Sequence, residues 1–128
     1  MSTKILLVDD NEDLLKISQL ILNAQGHEVM VATSLEEAEQ QINLHQPLLM
    51  LLDVHVCEED GLLYCHQLKQ NAVTRGMRII LMSGSEYPKE EWNGADDFLC
   101  KPFDFTTLIG KVEKQLTEIQ PVSADNLQ

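Results

Sequence analysis

Five consecutive apolar residues, Leu48-Leu49-Met50-Leu51-Leu52, follow Pro47 and stop abruptly at Asp53. A run this short, with no polar residue at alternate positions, suits a strand covered on both faces. Such strands belong to parallel sheets flanked by helices, where ligands gather at the strands' carboxyl ends. Asp53 is thereby placed on an accessible rim. The remaining sequence decides what else arrives there.

Read in order, Ile5-Leu6-Leu7-Val8 forms a short apolar strand closed by Asp9-Asp10. Asn11 can cap a helix whose first turn carries Glu12 and Asp13, where the helix dipole favours acid. Leu14, Ile17, Ile21 and Leu22 give that helix an apolar stripe, and Gly26 ends it. Residues 28–32 read as a second strand, polar enough for a sheet edge. Ser34 and Glu37 make a capping box for a second helix carried by Leu35, Ala38 and Ile42. After Asp53 a loop reaches Asp60-Gly61, and a third helix over 62–71 buries Leu62, Cys65 and Leu68. A fourth strand, 77–82, ends at Ser83-Gly84. Pro88 suits the first turn of a helix, yet Gly94 follows six residues later, so the fourth helix is expected to be stunted. A fifth strand, 97–100, ends at Lys101-Pro102. Asp104 caps a last helix with a stripe of Leu108, Val112, Leu116 and Ile119, which Pro121 terminates. Strands alternating with helices mean an α/β fold with a parallel sheet, and right-handed crossovers bring all the strand ends to one edge.

Composition narrows the function. At 128 residues with 44% hydrophobic content, one globular domain is expected, covering 1–120, with 121–128 a disordered tail or the start of a linker. A net charge of -12 argues against this chain gripping nucleic acid or an anionic membrane, and it suits divalent cations. Cys57, Cys65 and Cys100 show no regular spacing with one another or with His27, His45, His55 and His66, so free thiols are expected and zinc is not. Too short an apolar stretch follows Met1 for a signal peptide, and no run approaches membrane-spanning length. A soluble, cytoplasmic protein is expected.

Asp9, Asp10 and Asp53 on one rim would repel one another; a pair at about 4 Å costs roughly 4 kcal/mol at an effective dielectric near 20. A cation relieves this, and a few hard oxygen ligands describe a Mg²⁺ site that keeps several waters. Lys101 can hold a phosphoryl oxygen or pair with Asp53, and Ser83 offers a hydroxyl. Together they suit phosphoryl chemistry with a carboxylate as nucleophile. No Gly-rich phosphate loop is visible, which favours a phosphorylated protein over a nucleotide as donor.

The motifs Asp9-Asp10, Asp53, Asp60-Gly61, Ser83-Gly84, Gly94-Ala95-Asp96-Asp97-Phe98 and Lys101-Pro102-Phe103 occur in an order that resembles a chemotaxis-regulator-like response-regulator receiver domain of two-component signalling, over residues 4–116. The resemblance implies a flavodoxin-like, doubly wound sheet of five parallel strands in the order 2-1-3-4-5. It implies that Asp53 accepts a phosphoryl group from a histidine kinase or histidine phosphotransfer protein. Asp9, Asp10, Asp53 and the backbone carbonyl of His55 would hold Mg²⁺; Ser83 and Lys101 would bind phosphoryl oxygens. Ser83 and Phe98 would form the switch, read by a partner or an output domain, and Lys101-Pro102 would be cis. No enzymatic activity is implied beyond self-phosphotransfer and autodephosphorylation.

Departures from the family pattern are local. Val56-Cys57 replaces the usual Met-Pro after the phosphorylated aspartate, leaving the loop without proline's restraint. His55 and Ser85 occupy two variable positions that tune aspartyl-phosphate hydrolysis in the family. The segment from Ser83 to Phe98 is about one helical turn short, which puts the usual fourth-helix dimer face in doubt and assigns Trp92 to capping the core there. Other readings are a Mg²⁺-dependent phosphatase with an aspartyl nucleophile, a flavodoxin, or a receiver that binds without phosphorylation. The phosphatase wants an acid two residues after Asp53, where His55 stands; the flavodoxin wants a phosphate loop, where Asp9-Asp10 stand.

Overall fold

A computed structural model describes residues 3–119. Its framework is a five-stranded parallel sheet built from β1 (Lys4–Val8), β2 (Glu28–Ala32), β3 (Leu49–Asp53), β6 (Arg78–Ser83) and β7 (Asp97–Cys100), in the order β2-β1-β3-β6-β7. Counting only these strands, the order is the expected 2-1-3-4-5. The polar strand β2 lies at an edge, as its composition requires.

The side chains of the central strands divide cleanly between two layers, because successive residues of a strand point to opposite faces. Leu6, Met50, Leu52, Ile79 and Leu81 pack against α2 (Leu35–His45) and α3 (Gly61–Gln70) through Ala38, Ile42, Tyr64, Cys65 and Leu68. Ile5, Leu7, Leu49, Leu51 and Ile80 pack against α1 (Glu12–Ala24) and α4 (Phe105–Ile119) through Leu15, Leu22, Leu108 and Val112. Both faces are covered, which is why the run ending at Asp53 needs no polar alternation.

The expected caps form at Asn11 and Ser34, whose side chains accept the Leu14 and Glu37 amides, and Asp60 caps α3 by accepting the Leu63 amide. Asp104 accepts the Thr107 amide. Several details differ, among them one-residue shifts at the ends of β1, α3 and β6. Leu48 stays outside β3 and is exposed. The buried face of α1 is Leu15, Ser18 and Leu22, with Ile17 in solvent, so the stripe is rotated from the expected Leu14, Ile17 and Ile21. The loop after Asp53 contains a small antiparallel hairpin, β4 (His55–Val56) with β5 (Glu59–Asp60), which the sequence did not announce. The stunted fourth helix is a single 3₁₀ turn, Lys89–Glu91. Trp92 packs against the α2/α3-side core beside it and donates its indole N–H to the Tyr87 carbonyl at 2.9 Å. The expected tail, 121–128, lies outside the described residues. No helix among the described residues is long and apolar enough to cross a membrane.

Asp96 ties down the end of the sheet remote from Asp53. It accepts Lys69 Nζ at 2.9 Å, the Ile79 amide at 2.9 Å and Arg78 at 3.4 Å, joining α3, β6 and the entry to β7. Removing the carboxylate leaves those donors without it, and hydrogen bonds to charged groups are worth about 1.5–3 kcal/mol each. Asp96→Ala is expected to lower unfolding free energy by about 2–3 kcal/mol in urea titrations, with the denaturant slope unchanged.

Candidate functional site

The parallel register sets the geometry. Leu52 pairs with Val8, Asp53 with Met82, and Ser83 with Cys100, so the strands end nearly level. Asp9 therefore follows β1, Asp53 closes β3, Ser83 closes β6 and Lys101 follows β7, all on one rim. Asp9 (1% exposed) and Asp53 (8%) are buried, whereas Asp10 is exposed.

Lys101 reaches across the rim. Its Nζ lies 2.6 Å from Asp9 Oδ2 and 2.6 Å from Asp53 Oδ2. The remaining oxygens are held by backbone donors: the Asn11 amide on Asp9 Oδ1 at 2.9 Å and the His55 amide on Asp53 Oδ1 at 3.0 Å. Asp10 is held from another direction, accepting the Cys57 amide on Oδ2 at 2.9 Å. One oxygen from each of Asp9, Asp10 and Asp53 lies within 4.8 Å of the others.

The electrostatics follow from burial. Desolvation pushes the Asp9 carboxyl above its ordinary value, against the pull of Lys101 and the Asn11 amide. Burial by itself would lower the Lys101 ammonium, but its hydrogen bonds to Asp53 and Asp9 outweigh that and raise it. With all three carboxylates ionised and one lysine, the cluster carries a formal charge of −2 (three negative groups against one positive). Its donors are hard carboxylate oxygens, a set that suits a small divalent cation and offers no soft ligand. The site can hold a metal.

The structure thus brings Asp9, Asp10, Asp53 and Lys101 together. Ser83 is buried at the neighbouring strand end with its hydroxyl oxygen accepting the Ser85 amide at 3.0 Å. Phe98 is not part of the acid cluster. It lies in the α2/α3-side core, with the Trp92 ring stacked 5.7 Å away and the Tyr87 ring at 5.8 Å. The Lys101-Pro102 bond is cis.

The contribution of Cys57 escaped the sequence reading, whereas Gly61 was read as part of a motif without its physical role. Cys57 fixes Asp10 through its backbone, and a backbone contact leaves no trace in residue type. The structure gives the reason for the glycine of the Asp60-Gly61 motif: a Cβ there would collide with the Asp53 carbonyl oxygen, and its amide donates to the Val54 carbonyl at 2.7 Å. Only glycine lets the third helix start this close to the central strand.

Comparison with known proteins agrees with this geometry. Residues 5–113 match the family model for the response regulator receiver domain. The chain belongs to the response-regulator receiver family. This receiver is 34% identical over 105 residues to the alkaline phosphatase synthesis transcriptional regulatory protein PhoP of Bacillus subtilis, covering 80% of this chain and 44% of that protein. It is 31% identical to the phosphate regulon transcriptional regulatory protein PhoB of Rhizobium meliloti, covering 94% and 55%. Among solved structures it resembles a CheY-like response regulator receiver domain protein from Methanospirillum hungatei, with TM-score 0.84 and 26% identity over 94% of this chain and 98% of that one. The receiver spans about half the length of the curated relatives it matches. As a receiver it is a signalling domain of a two-component system.

The pairing of Lys101 with two carboxylates makes a pH-dependent prediction. Because the Lys101 ammonium is raised in the fold, its contribution to stability is complete below its ordinary value of 10.5 and is lost as pH rises through the higher folded value. Asp9, also raised, binds its proton more tightly folded than unfolded, so its ionisation costs stability as pH rises through and beyond 3.8. Without the lysine, the ionised carboxylates face each other unscreened. Lys101→Met is expected to destabilise the metal-free protein by roughly 1–3 kcal/mol at pH 7. The difference should narrow towards pH 4, as Asp9, its carboxyl raised by burial, takes up a proton. Urea denaturation at the two pH values checks this.

Proposed function

We propose that this receiver accepts a phosphoryl group on Asp53 from a phosphohistidine of a kinase or phosphotransfer protein, in a Mg²⁺-dependent reaction. The observation that carries the reading is the convergence of Asp9, Asp10 and Asp53 with Lys101 bridging two of them. Asp9, Asp10, Asp53 and the His55 backbone carbonyl would hold the cation. When bound, Mg²⁺ supplies charge neutralisation for the carboxylates and the incoming phosphoryl oxygens.

The protein's own groups do the rest. A carboxylate oxygen of Asp53 attacks phosphorus; an O–P bond forms, the P–N bond to the donor imidazole breaks, and the imidazole keeps the electron pair and takes up a proton. Burial and the His55 amide fix the direction of the nucleophile. Lys101, already 2.6 Å from Asp53, offers its ammonium to a phosphoryl oxygen. Ser83 can release the Ser85 amide and donate its hydroxyl to another. The shift of Ser83 and the packing of Phe98 then form the element biased by phosphorylation.

A partner or an output domain reads the change. The curated relatives are named as transcriptional regulators about twice as long, while the −12 charge of this chain opposes direct contact with nucleic acid through the receiver itself. With one 3₁₀ turn in place of a full fourth helix, a symmetric dimer through that helix is not expected.

Incubation with Mg²⁺ and acetyl phosphate, followed by intact-mass measurement, tests the reading. One phosphoryl group is expected, lost on EDTA addition before the donor and absent in Asp53→Asn; modification that persists in Asp53→Asn would overturn it. Sedimentation of the phosphorylated sample tests the dimer face. A dimer disrupted by substitutions in 89–91 would contradict the account of that face.

A further inference from the structure

Asp10 differs from its two acidic neighbours in how it is held. Asp9 and Asp53 are buried and share Lys101, whereas Asp10 is exposed and forms no ion pair among the described residues. Its one hydrogen bond there is the 2.9 Å contact from the Cys57 amide to Oδ2. Cys57 in turn sits at the tip of the β4–β5 hairpin. Its φ is 51° and that of Glu58 is 66°. Positive φ at both central residues is what a mirror-image two-residue hairpin turn requires, and such turns usually recruit Asn-Gly or Asp-Gly. Consecutive left-handed residues that are not glycine persist only where surrounding contacts hold them. Three such contacts are present: Val56 is wholly buried, the Cys57 amide binds Asp10, and the Cys57 thiol donates to the Thr33 carbonyl at 3.2 Å. One residue therefore ties the turn after β3 to the loops that follow β1 and β2.

We propose that the backbone amide of Cys57 is the positioning group for the Asp10 carboxylate, holding one oxygen so that the other is left for the cation shared with Asp9 and Asp53. The inference rests on reading those three carboxylates as the Mg²⁺ site. The role demands an N–H at position 57 and a left-handed backbone. Proline, the family's usual residue at this position, supplies neither, because it lacks the N–H and fixes φ near −65°, so this chain holds Asp10 by a contact that the usual loop lacks. Glycine supplies both without steric cost and removes only the thiol. The pair Cys57→Gly and Cys57→Pro thus separates the amide from the side chain.

Calorimetric titration of the metal-free protein with Mg²⁺ reads the effect directly, with metal-free melting temperature recorded alongside. Cys57→Gly is expected to keep the wild-type Kd, and Cys57→Pro to weaken it about tenfold, the loss of one modest hydrogen bond to a charged group. Phosphoryl uptake from acetyl phosphate at saturating Mg²⁺ should reach the same maximum in Cys57→Pro, with the half-saturating Mg²⁺ concentration raised. Amide hydrogen exchange provides a readout that needs no proline variant. The Cys57 amide should lose protection in Asp10→Ala, while the Gly61 amide, bonded to the Val54 carbonyl, keeps it. Equal Mg²⁺ affinity in all three proteins, equal weakening by glycine and proline, or Cys57 exchange unaffected by Asp10→Ala would each overturn the proposal. A wild-type protein that neither binds Mg²⁺ nor takes up the phosphoryl group would overturn the proposed function as well, whereas uptake with an unchanged Mg²⁺ requirement would overturn this inference alone.

Discussion

A single ammonium group organises the rim of this sheet. Lys101 leaves β7 and reaches past the end of β6 to lie 2.6 Å from carboxylates that follow β1 and close β3. Neighbouring strands are about 4.8 Å apart, so the lysine stem crosses the one intervening strand and the aspartate side chains reach the rest of the way to meet it. The strand in between ends in Ser83, a small residue. Two buried carboxylates would be costly without that partner, and three make the cluster negative even with it. The same excess that strains the site prepares it for a cation and for a phosphoryl group.

The sheet beneath makes this economy of contacts workable. Strands β1, β3 and β6 send alternate residues into two apolar layers, and almost every side chain on them is fully buried. Protein interiors this closely packed transmit little slack, so the strand ends are held at fixed spacing. Polar groups then appear only where a strand stops. Function sits at the boundary between a rigid apolar slab and solvent, with backbone amides of Asn11, His55 and Cys57 completing what side chains begin.

Much of this was legible in residue types. The run ending at Asp53 could be covered on both faces only in a parallel sheet, and Asp9-Asp10, Ser83 and Lys101 each followed an apolar strand. The length between Pro88 and Gly94 was too small for an ordinary helix, and a single 3₁₀ turn with Trp92 against the core is what that length permits. The buried face of α1 was harder: Leu14, Leu15, Ile17, Leu20, Ile21 and Leu22 are all apolar, so several stripes fit and tertiary packing chose Leu15, Ser18 and Leu22. The hairpin after Asp53 was illegible for a different reason. Cys57-Glu58 lacks the glycine or asparagine that marks such a turn, and contacts from elsewhere in the chain hold it.

The central claim is that these carboxylates share one divalent cation beside Lys101. Anomalous diffraction from crystals soaked in Mn²⁺, which takes the same oxygen ligands, addresses it most directly. One strong peak is predicted within coordinating distance of Asp9, Asp10, Asp53 and the His55 carbonyl oxygen. No peak at the rim, or ordered Mn²⁺ only on other acidic surfaces, would contradict the account.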